Sequence, residues 1–406
     1  MPACLICEEP FQPFMSFGRM PIANGFLTEA QFPQEFFDEL TVGACPRCSM
    51  VQLGRILPPE QLFHENYAYF SSISTRMTEH FRRFAEWVSG SFLTGKDPFV
   101  VEIGSNDGIM LQNFAKSGMR HLGVEPSANV AQAAQARGVR TVCRFFDEKA
   151  GREIRGEHGA AQAVLGANVI CHLPNINSVV RGVLELLDDR GVFVFEEPYL
   201  GDIVEKTSYD QIYDEHYLYY ALGSLDRLFA RHGMEVVDVV PQQVHGGSMR
   251  YVAARRGAWP VRESVVRQRA HEEALGLAHP GTYLRLRARI EESRRKLAAL
   301  LRDLKGAGKT VAGYGATSKS TTVTNYCGIG PDLVAYISDT TPGKQGRFSP
   351  GVHIPVVPYE RFQESPPDYA LLFAWNHGAE IVEKEAGFRA RGGKFLVYVP
   401  EVGVLE

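Results

Sequence analysis

The chain lacks any apolar run approaching the ~18 residues that a membrane-spanning helix needs. Its opening Met1-Pro2-Ala3-Cys4 has neither the basic nor the apolar region of a secretory signal, so no exported or membrane form is expected. It also lacks an excess of positive charge, since 43 Lys and Arg against 47 Asp and Glu leave a net charge of −4. Affinity built on neutralising a phosphate backbone is disfavoured by that balance, and neither nucleic acid nor a membrane is expected as a partner. Cysteine is sparse, with 7 in 406 residues. Three of them, Cys143, Cys171 and Cys327, lie in apolar contexts and read as reduced core thiols, which implies a cytoplasmic location. No internal repeat or low-complexity tract is present.

The other four cysteines carry information. Cys4 and Cys7 form one Cys-x-x-Cys knuckle and Cys45 and Cys48 a second, the spacing of a tetrahedral thiolate site for a structural zinc ion. A unit this small is not expected to hold its fold without the metal.

With 45% hydrophobic residues the chain can bury large cores, and its length predicts two or three domains. We expect an α/β protein: a small zinc-binding unit over residues 1–75, a parallel-sheet domain over 76–260, a helical connector over 261–304, and a second Rossmann-like α/β unit over 305–406. Strands are expected at Phe99–Gly104, His121–Pro126, Ala163–Asn168 and Gly191–Glu196, with a closing antiparallel pair at Met234–Val240 and Ser248–Ala254. In the last unit they are expected at Thr310–Gly313, Leu333–Ile337, Tyr369–Phe373 and Lys394–Val399. The connector, with Leu284, Leu286, Leu297, Leu300 and Leu301 among many charges, reads as a solvated amphipathic helix without chemistry.

The first glycine loop, Glu102-Ile103-Gly104-Ser105-Asn106-Asp107-Gly108, follows a strand and opens a helix. Glu125 follows ~20 residues on, where a carboxylate meets both hydroxyls of a ribose. A carboxylate ahead of the first glycine suits a cationic ligand better than a pyrophosphate, which favours S-adenosylmethionine, with its sulfonium and ammonium, over a nicotinamide cofactor. The expected cofactor set is Glu102, Gly104, Asn106, Asp107, Gly108, Glu125, Pro126 and Asn168.

Three segments place proton-transfer groups near that cofactor: Asn168-Val169-Ile170-Cys171-His172, Tyr213-Asp214-Glu215-His216, and Asn66-Tyr67-Ala68-Tyr69. Methylating carbon requires a carbanion, hence a base near an acidified C–H and donors for the oxygen that gathers charge. His216 suits the base, Glu215 can tune it, and Tyr213, His172, Tyr67 and Tyr69 are candidate donors. In the second glycine loop, Gly313-Tyr314-Gly315-Ala316-Thr317-Ser318-Lys319, helix-start amides and Lys319 can receive an anionic group, with Lys344 and Asn376 as further candidates.

Together, the four-cysteine clip, Tyr67-Ala68-Tyr69-Phe70-Ser71-Ser72, Val101 to Gly108, Tyr213 to His216, His245-Gly246-Gly247-Ser248-Met249-Arg250 and Gly313-Tyr314-Gly315-Ala316 resemble the nucleotide-sugar C-methyltransferases of branched deoxysugar biosynthesis. The resemblance spans essentially the whole chain in the same order. It implies a zinc-binding N-terminal domain, a central class I methyltransferase domain using S-adenosylmethionine, and a C-terminal Rossmann-like domain that helps hold a nucleoside-diphosphate sugar. It implies C3 methylation of a 4-keto-6-deoxyhexose, with His216 as base supported by Tyr213, Glu215, His172 and one of Tyr67 and Tyr69, Tyr67 being favoured. Tyr314, Gly315, Lys319, Lys344, Asn376, His245 and Arg250 form the expected substrate-binding set. The alternative reading is a zinc-containing RNA base methyltransferase. Against it stand the acidic balance, the second α/β unit and the lack of an Asn/Asp-Pro-Pro-Tyr segment.

Overall fold

A computed structural model describes residues 1–62, 71–73 and 75–405 of the chain. In the N-terminal unit, β1 (Pro13–Pro21), β2 (Phe37–Ala44) and β3 (Val51–Leu53) run antiparallel in sequence order. One knuckle precedes β1 and the other turns β2 into β3. Side chains alternate across this small sheet, so Met15, Phe17, Leu40 and Val42 face the core while charged neighbours stay wet.

The middle unit carries β4 (Phe99–Ile103), β5 (Arg120–Val124), β6 (Thr141–Val142), β7 (Ala161–Ala167), β8 (Leu187–Pro198), β9 (Leu218–Tyr219), β10 (Met234–Gln242) and β11 (Ser248–Arg255). Seven of these form one sheet in the order β10-β11-β8-β7-β4-β5-β6, parallel from β8 to β6, with β11 antiparallel to both its neighbours. Strand β4 is buried along its whole length, as a strand covered by helices on both faces must be. The helix Thr75–Phe92 covers one face through Phe81, Phe84 and Val88, spaced at helical intervals. Strand β9 leaves this sheet: it pairs with β3, completing a four-stranded sheet β1-β2-β3-β9. No sequence pattern announced that two-residue strand.

In the C-terminal unit, β12 (Val311–Tyr314), β13 (Ile337–Asp339), β14 (Val356–Pro358), β15 (Tyr369–Leu372), β16 (Lys394–Val397) and β17 (Gly403–Leu405) form a second sheet, ordered β14-β13-β12-β15-β16-β17 and parallel except for β17. The strand expected from Leu333 starts only at Ile337, because Leu333 and Val334 turn back to donate to the Gly330 carbonyl. The connector is two helices, Glu263–Leu275 and Pro280–Gly306, broken where Gly276 adopts φ +69°. It is more than a solvated rod. Leu286, Ile290, Leu297 and Leu301 are buried while Leu284 is exposed, and buried Glu272 caps the helix Leu222–Ala230 by accepting from the amides of Leu222 (2.7 Å) and Gly223 (2.9 Å).

One apolar core runs through all three units, from Ile6 and Met50 through Phe193 and Tyr217 to Val323 and Leu396. In each α/β sheet the strand order reverses beside the first strand, β4 in one and β12 in the other, which opens a crevice at the strand C-termini. The two crevices face one cavity of about 350 Å³, lined by Gly104 and Glu125 on one side and by Thr317 and Ala374 on the other.

Candidate active site

The four knuckle cysteines converge, with all four sulfurs within 4.8 Å of one another. The Cys4–Cys48 pair stands at 3.4 Å and the Cys7–Cys45 pair at 3.5 Å. These separations are far longer than the ~2.05 Å of a disulfide and close to the ~3.8 Å edge of a tetrahedron with 2.3 Å zinc–sulfur bonds. The hydrogen bond from the Cys48 thiol pulls Cys4 down to about 5, whereas burial lifts Cys45 to about 11 and the same bond to Cys4 raises Cys48 further. Four thiolates cannot coexist there without a cation, and the donor set fits zinc.

In the first crevice Gly104 takes φ +64°, and a Cβ there would lie 2.3 Å from Val169. Only glycine permits that turn. Glu125 lines the cavity and accepts from the amides of Asn106 (3.0 Å) and Ser127 (2.9 Å), leaving further lone pairs for a ligand hydroxyl; burial raises its pKa. Gly104, Asn106, Glu125, Pro126 and Asn168 all line the cavity. Glu102, Asp107 and Gly108 are placed behind that lining. Asp107 accepts from the Ser72 hydroxyl and pairs with Arg137 at 2.8 Å, while Gly108 packs on Val139. Glu102 is buried beneath the loop, where burial and then the charges of Glu125 and Asp107 raise its pKa well above the usual carboxylate value. Phe145 and Phe146, which the sequence did not single out, add an apolar wall beyond β6. An acidic strand end, a tight glycine turn and an apolar wall fit S-adenosylmethionine.

Between the crevices, His216 Nδ1 stands 3.0 Å from the Gln211 carbonyl and Nε2 2.7 Å from the Tyr213 hydroxyl. A carbonyl only accepts, so Nδ1 carries the proton and Nε2 the lone pair, to which the phenol donates. The ring is buried, and burial, then the neighbouring His172, hold its pKa well below the usual imidazole value. The His172 ring lies perpendicular to it at 5.1 Å and is held neutral by burial, down to about 4. Glu215 is buried beside them, and burial, then the charge of Asp214, push its carboxyl up to about 8. The segment from Tyr209 to Tyr217 is fixed by all three units. Asp214 accepts from Ala23 N at 3.0 Å, the Ile212 carbonyl accepts from Thr322 Oγ1 at 3.0 Å, and Tyr217 N donates to the Cys171 carbonyl at 2.9 Å. Tyr67 and Tyr69 lie outside the described residues.

The second crevice is cationic. Lys319 and Lys344 both stand part-buried in the cavity wall, and desolvation lowers both pKa values. Lys344 donates to the Ala316 carbonyl at 2.7 Å and Lys319 to Asn376 Oδ1 at 3.3 Å. The helix Ser318–Cys327 starts at the cavity with Thr317 as its N-cap. His245, at φ +54°, lines the cavity, and its buried Nε2 has no hydrogen-bond partner among the described residues.

Three expected substrate contacts do not reach the cavity. Arg250 lies opposite Glu196 across β11 and β8, donates to it at 2.8 and 3.1 Å, and rests 3.6 Å over the Phe84 ring. Tyr314 donates to Glu385 at 2.8 Å inside an aromatic cluster, and Gly315 only makes the turn, at φ +88°.

Family models match for a zinc binding domain over residues 4–63, a methyltransferase domain over residues 69–239, and a C-methyltransferase C-terminal domain over residues 243–400. The C-methyltransferase NovU of Streptomyces niveus is 38% identical over 407 aligned residues, covering 99% of this chain and 96% of that protein. Among solved structures, magnesium protoporphyrin IX methyltransferase (ChlM) from Synechocystis PCC 6803 with bound SAH is 14% identical, with 44% of this chain and 83% of that chain covered at a TM-score of 0.34. An S-adenosylmethionine-dependent methyltransferase from Clostridium acetobutylicum is 11% identical, with 44% and 92% covered at a TM-score of 0.36. Likeness to a C-methyltransferase over nearly the whole of both chains, with the three domains in order, places this chain in the C-methyltransferase family as an S-adenosylmethionine-dependent enzyme with a zinc-binding domain.

Proposed function

We propose that the enzyme methylates C3 of a nucleoside-diphosphate 4-keto-6-deoxyhexose, acting in the cytoplasm on a pathway to branched deoxysugars. The reading assigns the zinc unit to residues 1–75, cofactor and base to residues 76–260, and the nucleotide end of the sugar to residues 305–406, joined by the connector 261–304. S-adenosylmethionine supplies an electrophilic methyl group on its sulfonium, held by Gly104, Asn106, Glu125, Pro126 and Asn168.

The observation that carries the reading is the His216–Tyr213 pair, neutral and buried between an acidic crevice and a cationic one. The C4 ketone acidifies the C3 proton. His216 Nε2 takes that proton, and as the imidazolium forms, the Gln211 carbonyl steadies the opposite N–H. The Tyr213 hydroxyl, released from Nε2, donates to the C4 oxygen, with His172 as second donor where negative charge gathers. Glu215, protonated at neutral pH, keeps a second anion away from the enolate. The enolate carbon C3 would then take the methyl group as its bond to sulfur breaks, leaving the neutral thioether S-adenosylhomocysteine, and the C4 ketone re-forms. At the far end, Lys319, Lys344, His245, Asn376 and the amides at Thr317 and Ser318 receive the diphosphate, where fixed positive groups can hold it.

The test supplies a nucleoside-diphosphate 4-keto-6-deoxyhexose and carbon-13 methyl-labelled S-adenosylmethionine, and reads the product by NMR. A labelled methyl carbon bonded to C3 is the expected result. Label on oxygen, or on another ring carbon, overturns the assignment.

A further inference from the structure

The zinc clip and the base are neighbours in space through β3. Only Ser49 and Met50 separate Cys48 from β3, and β3 lies along the segment that follows His216: Val51 faces Tyr219, Gln52 faces Leu218, and Leu53 N donates to the Tyr217 carbonyl at 3.0 Å. The other edge of that segment is tied to the His172 loop, with Tyr217 N on the Cys171 carbonyl at 2.9 Å and Tyr220 Oη on the Ile170 carbonyl at 3.2 Å. Both imidazoles therefore adjoin β9 in the hydrogen-bond network, and β9 pairs with β3. A two-residue strand has little pairing of its own to fix it.

Besides its pairing with β2, β3 is held to the first knuckle by Gln52. Its side chain is 1% exposed and spans from β3 to the first knuckle: Oε1 accepts from Leu5 N at 2.8 Å, and Nε2 donates to the carbonyls of Ala3 at 3.2 Å and Leu53 at 3.3 Å. The knuckle is itself pinned to the methyltransferase domain. Asn177 Nδ2 donates to the carbonyls of Leu5 (2.9 Å) and Ile6 (3.0 Å), and His232 Nε2 holds the Asn177 amide oxygen at 2.8 Å. A clipped turn anchored on one side thus offers a fixed register to the strand that carries the base segment on its other side.

We propose that Gln52 is a positioning residue for His216, transmitting the geometry of the cysteine clip through β3 and β9 to the base. The proposal rests on the reading of His216 as base. Gln52→Met keeps the side chain's length but removes both polar ends, leaving a buried N–H and C=O unpaired and freeing β3 to shift. A displacement near 1 Å at a reacting group costs turnover far more than binding, and loss of such supporting contacts typically costs about 10–100-fold. The experiment uses the zinc-loaded, full-length Gln52→Met enzyme and measures zinc per chain, S-adenosylmethionine affinity, kcat, KM for the sugar nucleotide, and hydrogen exchange at the amides of Tyr217 to Tyr219. The expected result is one zinc retained, cofactor affinity and KM unchanged within about twofold, kcat down about 10–100-fold, and faster exchange at those amides. Unchanged kcat overturns the proposal, as does loss of zinc or of cofactor binding, which makes Gln52 a folding residue only. Gln52→Met and His216→Gln assayed side by side separate the two readings: an active His216 variant removes the base assignment, whereas an inactive one beside a normal Gln52 variant removes only the coupling.

Discussion

The two glycine-turn crevices share one topology and carry opposite charge. The first ends in Glu125, with Asp107 and Glu102 beneath it; the second ends in Lys319 and Lys344, with a helix N-terminus between them. Strand order alone makes a crevice at the switch point, so the fold does not decide what each one holds. A handful of side chains does, and the pair reads as a cation site facing an anion site across a neutral, buried imidazole–phenol pair. An enzyme that joins a sulfonium to a sugar diphosphate needs that polarity, with no fixed charge at the carbon between.

The sharpest way to break this comparison exchanges the losses. Lys319→Met should raise KM for the sugar nucleotide by about 10–100-fold, the worth of a charge-assisted hydrogen bond of ~1.5–3 kcal/mol, and leave S-adenosylmethionine affinity unchanged. Glu125→Gln should weaken the cofactor and spare the sugar nucleotide. Steady-state kinetics with calorimetry for the cofactor read both, and a variant that weakens both ligands equally contradicts the division.

A smaller effect is expected between the crevices. Glu215 is pushed up to about 8 in the folded protein, from 4.5 ordinarily, by burial and then by Asp214. Folded chains therefore bind more protons than unfolded ones between those values, so this group's share of stability is complete below about 4.5 and is lost as pH rises through about 8. Glu215→Gln should match the wild type in thermal stability at about pH 5 and exceed it by a few degrees at about pH 9. Parallel melting curves at every pH would show that Glu215 is not the buried acid described.

What was legible in the sequence was local. The cysteine spacings, the turn at Gly104 and the density of Tyr, Glu and His around residue 216 each follow from a few consecutive residues. What depended on a distant partner was not legible. Arg250 entered the expected substrate-binding set because its partner, Glu196, is 54 positions away and meets it only through strand pairing. Glu102 and Asp107 looked like cofactor carboxylates, but both are buried behind the cavity lining, Asp107 against Ser72 and Arg137. Strand β9 has two residues and no pattern, because its partner β3 lies in another unit. The apolar wall at Phe145 and Phe146 carried no signal beyond ordinary core aromatics.

The central claim is that His216 removes the C3 proton. A 4-keto sugar nucleotide incubated in deuterated water with wild-type enzyme and S-adenosylhomocysteine, which cannot donate a methyl group, should exchange its C3 proton above the uncatalysed background. With His216→Gln the exchange rate should fall by a factor on the order of 10²–10⁴, the range for a positioned general base, while cofactor affinity holds. Equal exchange by both proteins would contradict the account and pass the base to another group in the cavity.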